Sequence, residues 1–142
     1  MKKQDIVLMA IAAANKVGLS PVQLQKSMFL IGRSGLPEIP DDYYPFYAYH
    51  YGPFHQGVYD DAQSLAEQGL VVTVPEGSEG WSRYVATAAG TDHAADLRGA
   101  SSGLADVVHE TVEWVQAQTF SGLLRTIYAK YPEFRENSVF QG

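Results

Sequence analysis

A helix that ends at a glycine and is followed by two β-prone runs constrains the fold of this chain more than any other feature. Residues 55–68 carry an apolar stripe at helical spacing, and Gly69 then supplies a helix stop. Residues 70–74 are rich in β-branched side chains, and residues 83–87 alternate like a returning strand. Because the intervening loop contains glycine, the pattern predicts a β-hairpin with its tip near residues 76–80.

The rest of the chain is mainly helical in pattern. Glycine, proline and serine punctuate further helices, which we expect at about residues 4–17, 21–33, 92–98, 103–118 and 120–131. A proline-containing loop, residues 35–45, precedes an aromatic, alternating stretch, residues 46–51, that predicts a short strand. Gly52 and Pro53 then predict a turn into the third helix, with Gly52 at positive φ and Phe54 packed inward.

This order of elements predicts an α+β, mainly helical fold: a winged helix-turn-helix with a small β-hairpin wing and C-terminal helices. Residues 1–99 would form the winged-helix domain. Residues 100–142 would form a helical extension that either packs on that domain or makes a dimer contact. Trp114 and Tyr128 are candidate anchors of a homodimer through helices 103–131, or they fold back on the first helix and complete one core.

Composition excludes several kinds of protein. The chain has no cysteine, so disulfides, thiolate zinc sites and cysteine nucleophiles are ruled out. Its formal net charge of -6 disfavours unspecific attraction to nucleic acid or anionic lipid. Lys2 and Lys3 before the apolar stretch 6–14 resemble a secretory leader, but Gln4 and Asp5 interrupt it. No apolar run approaches the ~20 residues of a membrane span, so we expect a cytoplasmic protein without membrane contact.

Part of the predicted third helix and hairpin resembles the recognition helix and wing of PadR-type winged-helix regulators. The residues concerned are Val58-Tyr59, Leu65, Gly69-Leu70-Val71, Arg83-Tyr84-Val85-Ala86-Thr87 and Gly90. Those regulators show a Tyr, a Leu on the buried face, a Gly-Leu-Ile/Val exit and an R-x-Y-x-L-T-x-x-G strand end. Ala86 stands here where Leu is usual, on the buried face. The resemblance implies the winged-helix fold.

A second resemblance is wider and covers most of residues 20–140. Its main features are Leu24-Gln25-Lys26, the Tyr49-x-Tyr51-Gly52-Pro53-Phe54 turn and the Gly69-Leu70 exit, with Tyr131-Pro132-Glu133 and Asn137-Ser138 in the tail. They are similar to an L-Q-K helix and a Y-G-P-F-S corner in small bacterial and phage proteins related to the Panacea antitoxin domain. Ser27-Met28 and His55 depart from that pattern. The resemblance implies a role in binding a protein or DNA, and no catalytic residue.

The distribution of charge favours a protein partner. Residues 34–82 contain no Lys or Arg but eight acids, namely Glu38, Asp41, Asp42, Asp60, Asp61, Glu67, Glu76 and Glu79. Affinity for a phosphate backbone comes mostly from Lys and Arg, which the predicted recognition helix lacks. We therefore expect a non-enzymatic regulatory or antitoxin-like adaptor that binds a basic surface on another protein. The alternative is a DNA-binding transcriptional regulator that docks through Lys2, Lys3, Lys26 or Arg33.

The aromatic stretch and the third helix supply the candidate partner-binding residues: Tyr47, Tyr49, Tyr51, His55, Gln56, Asp60, Asp61 and Gln63. The rings of residues 43–54 either grip a flat ligand or fill the joint between helices, and the sequence leaves both open. His50 and His55 match no metal-ligand spacing, so we expect ordinary polar or capping roles for them. No nucleophile elbow or phosphate-binding glycine loop occurs, so we expect no enzyme, cofactor or metal.

Overall fold

The computed structural model of the chain describes residues 1–76 and 82–141. Within these residues the protein is a mainly helical α+β structure with two small antiparallel hairpins, which confirms the predicted fold class at that level. The helices are α1 (Lys3–Ala13), α2 (Pro21–Gly32), α3 (Gln56–Glu67), α4 (Ala88–Ala100), α5 (Ser102–Ala117) and α6 (Phe120–Lys130), with a final 3-10 turn at Pro132–Arg135. The hairpins pair β1 (Tyr47–Tyr49) with β2 (Gly52–Phe54) and β3 (Val71–Pro75) with β4 (Ser82–Ala86). In the part of the chain so described, no helix is long and apolar enough to cross a bilayer.

Helix α1 is the centre of the main core. Every residue from Ile6 to Ala12 is buried, and a helix that is apolar on all sides is stable only when other elements surround it. Helices α2, α3, α4 and α5 all contact α1. Leu104, Val108 and Val112 of α5 belong to the same apolar cluster as α1, so α5 packs into the core that the preceding helices form.

A second apolar cluster lies between α2, the end of α5 and α6. Its buried members are Phe29, Val115, Leu123, Leu124, Ile127, Tyr128 and Phe134. Tyr128 is only 3% exposed and its hydroxyl donates to Ser138 Oγ, while Trp114 is half-buried beside the cluster. The tail then returns to the first hairpin: the Val139 amide donates to the His50 carbonyl at 2.9 Å, and Asn137 Nδ2 donates to the Ala48 carbonyl at 3.1 Å.

The predicted hairpin after the third helix is confirmed, with each strand displaced by one residue. Strands β3 and β4 pair from Val71 opposite Ala86 to Pro75 opposite Ser82. Of the predicted tip at residues 76–80, only Glu76 lies among the described residues. Leu19, between α1 and α2, forms a further antiparallel bridge with Tyr84 of β4 through two backbone hydrogen bonds.

Two helices differ in length from the prediction. Helix α1 ends at Ala13 rather than near residue 17, because Asn15 takes a positive φ of 56° that breaks the helical hydrogen-bond ladder. Helix α4 begins earlier than expected, at Ala88, because the Thr87 hydroxyl accepts from the Gly90 amide and caps it. A Cβ at Gly90 would lie 1.9 Å from the Leu70 carbonyl oxygen, so a glycine is required for α4 to start this close to β3.

The aromatic stretch forms a hairpin instead of the single strand predicted at residues 46–51. Strand β1 ends at Tyr49, the chain turns at His50 and Tyr51, and Gly52 and Pro53 belong to the returning strand β2. The prediction that Gly52 and Pro53 turn the chain directly into the third helix was therefore wrong. Gly52 has a φ of +86°, as predicted, and this conformation lets the chain reverse immediately before β2.

Truncation of a core residue on α3 tests the packing of that helix. Leu65 is 2% exposed within the main apolar cluster, so we expect Leu65→Ala to lower the free energy of unfolding by about 2–5 kcal/mol. Chemical denaturation measures the change. Gln63→Ala, an exposed substitution on the same helix, is the control and should stay within about 0.5 kcal/mol of the wild type. Equal stability of Leu65→Ala and wild type would contradict this packing.

Glycine substitutions test the backbone conformation at the first hairpin. A Cβ at Gly52 would meet Tyr128 at an ordinary 3.4 Å, so the cost of Gly52→Ala comes from its positive φ. We expect a loss of about 1–3 kcal/mol in chemical denaturation. In Gly99→Ala the new Cβ meets nothing within 4 Å on helix α4, and we expect that substitution to be neutral or slightly stabilising. Equal effects at both positions would count against a strained Gly52.

Candidate interaction surface

Two adjacent buried polar side chains of α2 hold the end of β2 and the start of α3. The Gln25 amide donates to the His55 carbonyl at 2.9 Å and accepts from the His55 amide at 3.0 Å. Lys26 Nζ donates to the Pro53 carbonyl at 3.0 Å. The Leu24-Gln25-Lys26 segment and the Gly52-Pro53-Phe54 segment are thus parts of one hydrogen-bonded assembly.

Lys26 is buried, although its charge predicts an exposed side chain. Its side chain is only 3% exposed, and burial lowers its pKa from 10.5 to about 7. Since its amine is engaged with the Pro53 carbonyl, Lys26 does not present an ammonium group to a phosphate in this structure.

His55 caps helix α3. Its Nδ1 accepts from the Gly57 amide at 3.0 Å, which satisfies one of the free amides at the helix start. Its ring also lies against Tyr44 and Phe46 in the interior. His50 instead stacks on Tyr49, with ring centroids 4.3 Å apart. Among residues 1–76 and 82–141, no group of three His, Asp or Glu side chains is arranged to hold a metal ion.

The aromatic stretch divides into an inner and an outer part. Tyr43, Tyr44 and Phe46 pack against the main core, whereas Tyr47, Tyr49 and Tyr51 are 48%, 43% and 45% exposed. The inner rings therefore fill the joint between helices, as one interpretation predicts, whereas the outer rings are exposed.

The outer rings continue across α3 to the second hairpin. Tyr47 and Tyr49 contact Phe54, with centroids 5.9 and 5.1 Å away, and Phe54 contacts Tyr59 of α3 at 5.7 Å. Tyr59 stacks on Tyr84 of β4 at 6.5 Å. We call this run of five rings the aromatic strip: Tyr47, Tyr49, Phe54, Tyr59 and Tyr84. The Tyr51 ring contacts Phe120 of α6, with centroids 5.5 Å apart.

Beside the strip, α3 exposes an acidic face. Gln56, Asp60, Gln63 and Glu67 recur at helical spacing and are all exposed, so they share one side of the helix, which we call the acidic stripe. Gln56 donates to Asp60 at 3.3 Å and Gln63 donates to Glu67 at 3.5 Å, which aligns the two carboxylates along it. Tyr59 of the aromatic strip lies three residues after Gln56 and four residues before Gln63 on the same helix, so the two surfaces adjoin.

Asp61 does not belong to the acidic stripe. Its carboxylate accepts hydrogen bonds from the Tyr44 hydroxyl and, at 3.4 Å, from the Gln4 amide of α1. Burial and the adjacent Asp61 carboxylate raise the pKa of Tyr44 above its usual value. Asp61 therefore joins α3 to the inner aromatic residues, although sequence alone grouped it with Asp60.

The remaining cations proposed as DNA contacts have different surroundings. Lys2 is exposed, whereas Lys3 Nζ donates to the Asp42 carbonyl and lies over the Tyr44 ring. The Arg33 guanidinium lies over the rings of Phe29, Tyr131 and Phe134.

No protein-family model matches the chain, and no curated protein sequence matches it.

The pH dependence of stability tests the buried Lys26. Between pH 7 and 10.5 the unfolded chain holds a proton on Lys26 that the folded chain has released. The free energy of unfolding therefore rises with pH across this window. The contribution of Lys26 to it is most favourable above pH 10.5 and is lost as the pH falls towards 7. Relative to Lys26→Met, the wild type should therefore gain up to about 1.4 kcal/mol of unfolding free energy per pH unit in this window.

Urea denaturation at several pH values between 7.5 and 9.5 measures this difference. Lys16→Met, which removes an exposed lysine, is the control for the change in net charge. Parallel pH profiles for wild type and Lys26→Met would contradict the burial of the amine.

Proposed function

We propose that the chain is a winged-helix interaction module, a regulatory or antitoxin-like adaptor that binds a basic segment of another protein. The order of α1, α2, α3 and the β3–β4 hairpin supports the winged-helix arrangement, with α3 as recognition helix and the hairpin as wing. The bridge from Leu19 to Tyr84 supports it further, because it ties the segment between the first two helices to the second strand of the wing.

The observation that carries the proposal is that the aromatic strip and the acidic stripe lie next to each other on one surface. Tyrosine is enriched in protein interfaces because it offers a large apolar ring with a polar end. A ring face attracts cations, and a carboxylate forms short charge-assisted hydrogen bonds with Arg. A surface on which the aromatic strip adjoins the stripe that carries Asp60 and Glu67 therefore suits a partner rich in Arg or Lys.

The cation of the wing strands supports a protein partner over DNA. Strands β3 and β4 contain one basic residue, Arg83. Its guanidinium donates to the Val17 and Gly18 carbonyls and to the Gln23 side chain. These bonds hold the Arg83 side chain on the loop between α1 and α2, where its donors are not available to a phosphate. Helix α3 itself contains only uncharged and acidic residues besides His55 at its cap, so the proposed recognition helix would repel a DNA backbone.

Charge neutralisation on the acidic stripe tests the proposal. A partner is first recovered from the native cell with the wild-type chain, identified by mass spectrometry and purified. We expect Asp60→Asn with Glu67→Gln to slow association with it several-fold and to weaken the salt dependence of association. Tyr49→Ala should speed dissociation by removing an exposed ring. Stopped-flow binding at several salt concentrations measures both rates.

The matched control removes two charges of the same sign from another helix. Asp92→Asn with Asp96→Asn changes two exposed acids of α4, four residues apart, and should leave the association rate nearly unchanged. Asp61→Asn should lower stability more than it changes binding, since Asp61 bonds to Tyr44.

The DNA-binding alternative makes opposite predictions in the same assay. The wild type should not bind duplex DNA at physiological salt. Tight duplex binding that is lost in Gln56→Ala or Gln63→Ala would overturn the proposal in favour of a transcriptional regulator. Binding that is lost when Lys2 and Lys3 are neutralised would indicate that DNA docks at the N-terminus.

A further inference from the structure

A groove of about 440 Å³ lies between the end of α2, the middle of α5 and the end of α6. Leu30, Val107, Trp114 and Tyr131 give it a mostly apolar wall, and Arg33 and Lys130 add two cations. None of its lining residues belongs to the aromatic strip or the acidic stripe. Its volume falls in the range of about 300–1,000 Å³ that small-molecule sites occupy.

Arg33 is held in place by aromatic rings. Its Cζ lies 5.0 Å from the ring centroid of Phe29, 5.3 Å from that of Tyr131 and 5.5 Å from that of Phe134. Ring contacts fix a guanidinium group without using its N–H donors. The Arg33 side chain is exposed and, among the residues that the structure describes, it forms no ion pair and donates no side-chain hydrogen bond. Its planar set of donors is therefore accessible to a ligand.

Lys130 supplies a second cation at the same ring. Its Nζ lies 5.6 Å from the centroid of Tyr131, and it too forms no ion pair within residues 1–76 and 82–141. One carboxylate, Glu110, also lines the groove. Two cations against one carboxylate leave this groove locally positive, although the whole chain has a formal net charge of -6.

We propose that this groove binds a small organic carboxylate with a flat or extended apolar body. The guanidinium plane of Arg33 matches a carboxylate in a bidentate geometry, and Lys130 provides a second charge. The apolar body lies against Trp114 and Leu30, where its transfer from water contributes to binding. Glu110 disfavours a doubly charged anion such as a phosphate monoester, because like charges in one groove repel each other.

The probes are three carboxylates and their uncharged alcohols: phenylacetate with 2-phenylethanol, 4-phenylbutyrate with 4-phenylbutanol, and hexanoate with hexanol. Binding is followed by titration calorimetry and by the indole N–H resonance of Trp114, which Trp114→Phe identifies. At least one carboxylate should bind in the millimolar range or tighter and shift that resonance. Its alcohol should bind at least tenfold more weakly.

Variants separate an anion site from a structural role of the cations. Arg33→Met and Lys130→Met should each weaken carboxylate binding at least fivefold, and Arg33→Lys should weaken it less than Arg33→Met. Arg125→Met is the matched control, because it removes an exposed α6 cation that does not line the groove, and binding should persist. Thermal unfolding checks that each variant is folded. If Arg33→Met does not fold, Lys130→Met still tests the site.

Three results would overturn the proposal. The first is that no carboxylate shifts the Trp114 resonance. The second is equal binding of an acid and its alcohol, which would show that only the apolar wall is used. The third is unchanged affinity in folded Arg33→Met and Lys130→Met variants. These results are independent of partner binding at α3, since different residues form the two surfaces.

Discussion

The hydrogen bonds from Gln25 and Lys26 to the chain at Pro53 and His55 are the interactions on which the proposed interaction surface depends. A buried amide or amine that lacks a partner costs about 1–3 kcal/mol or more, so these side chains are compatible with burial only while β2 occupies its position. The same bonds therefore fix the β1–β2 hairpin against α2 and set the start of α3. With both elements fixed, Phe54 contacts Tyr47 and Tyr49 on one side and Tyr59 on the other, and the aromatic strip becomes continuous.

The cations of the chain show how a basic residue is used when a protein has few of them. Arg83 closes the loop between α1 and α2 onto the second hairpin, and Lys26 holds the first hairpin. Both bind backbone carbonyls, and Arg83 also pairs with the Glu76 carboxylate at 3.9 Å. Among the described residues the acids of α3 form no ion pair, and this leaves the exposed side of α3 negative.

The sequence predicted elements well where local signals agree. The stop at Gly69, the β-branched run that follows and the returning strand all indicate the second hairpin, and it forms with a displacement of one residue. The first hairpin was missed because Gly52-Pro53 fits a turn into a helix as well as it fits a returning strand. Only the long-range bonds from α2 decide between these two structures, and no local pattern reports them.

The candidate site was predictable only in part for the same reason. Exposure of Tyr47 and Tyr49 was one of two open outcomes, and the position of Asp60 on the outer face of α3 follows from helical spacing. Asp61 and Lys26 could not be assigned, because charge alone suggests exposure while their partners, Tyr44 and Pro53, lie elsewhere in the sequence. The groove at Arg33 was missed because residues of three helices distant in sequence form it.

The contact of the tail with the first hairpin has a consequence for the time at which the surface is completed during synthesis. Asn137 bonds to the Ala48 carbonyl across 89 positions of sequence, and Val139 bonds to His50. A ribosome adds about 5–20 residues each second, so the hairpin emerges seconds before the segment that covers its turn. During that interval α1, α2 and α3 are already available to pack together. The exposed tyrosines therefore acquire their final setting only after residue 139 has left the ribosome.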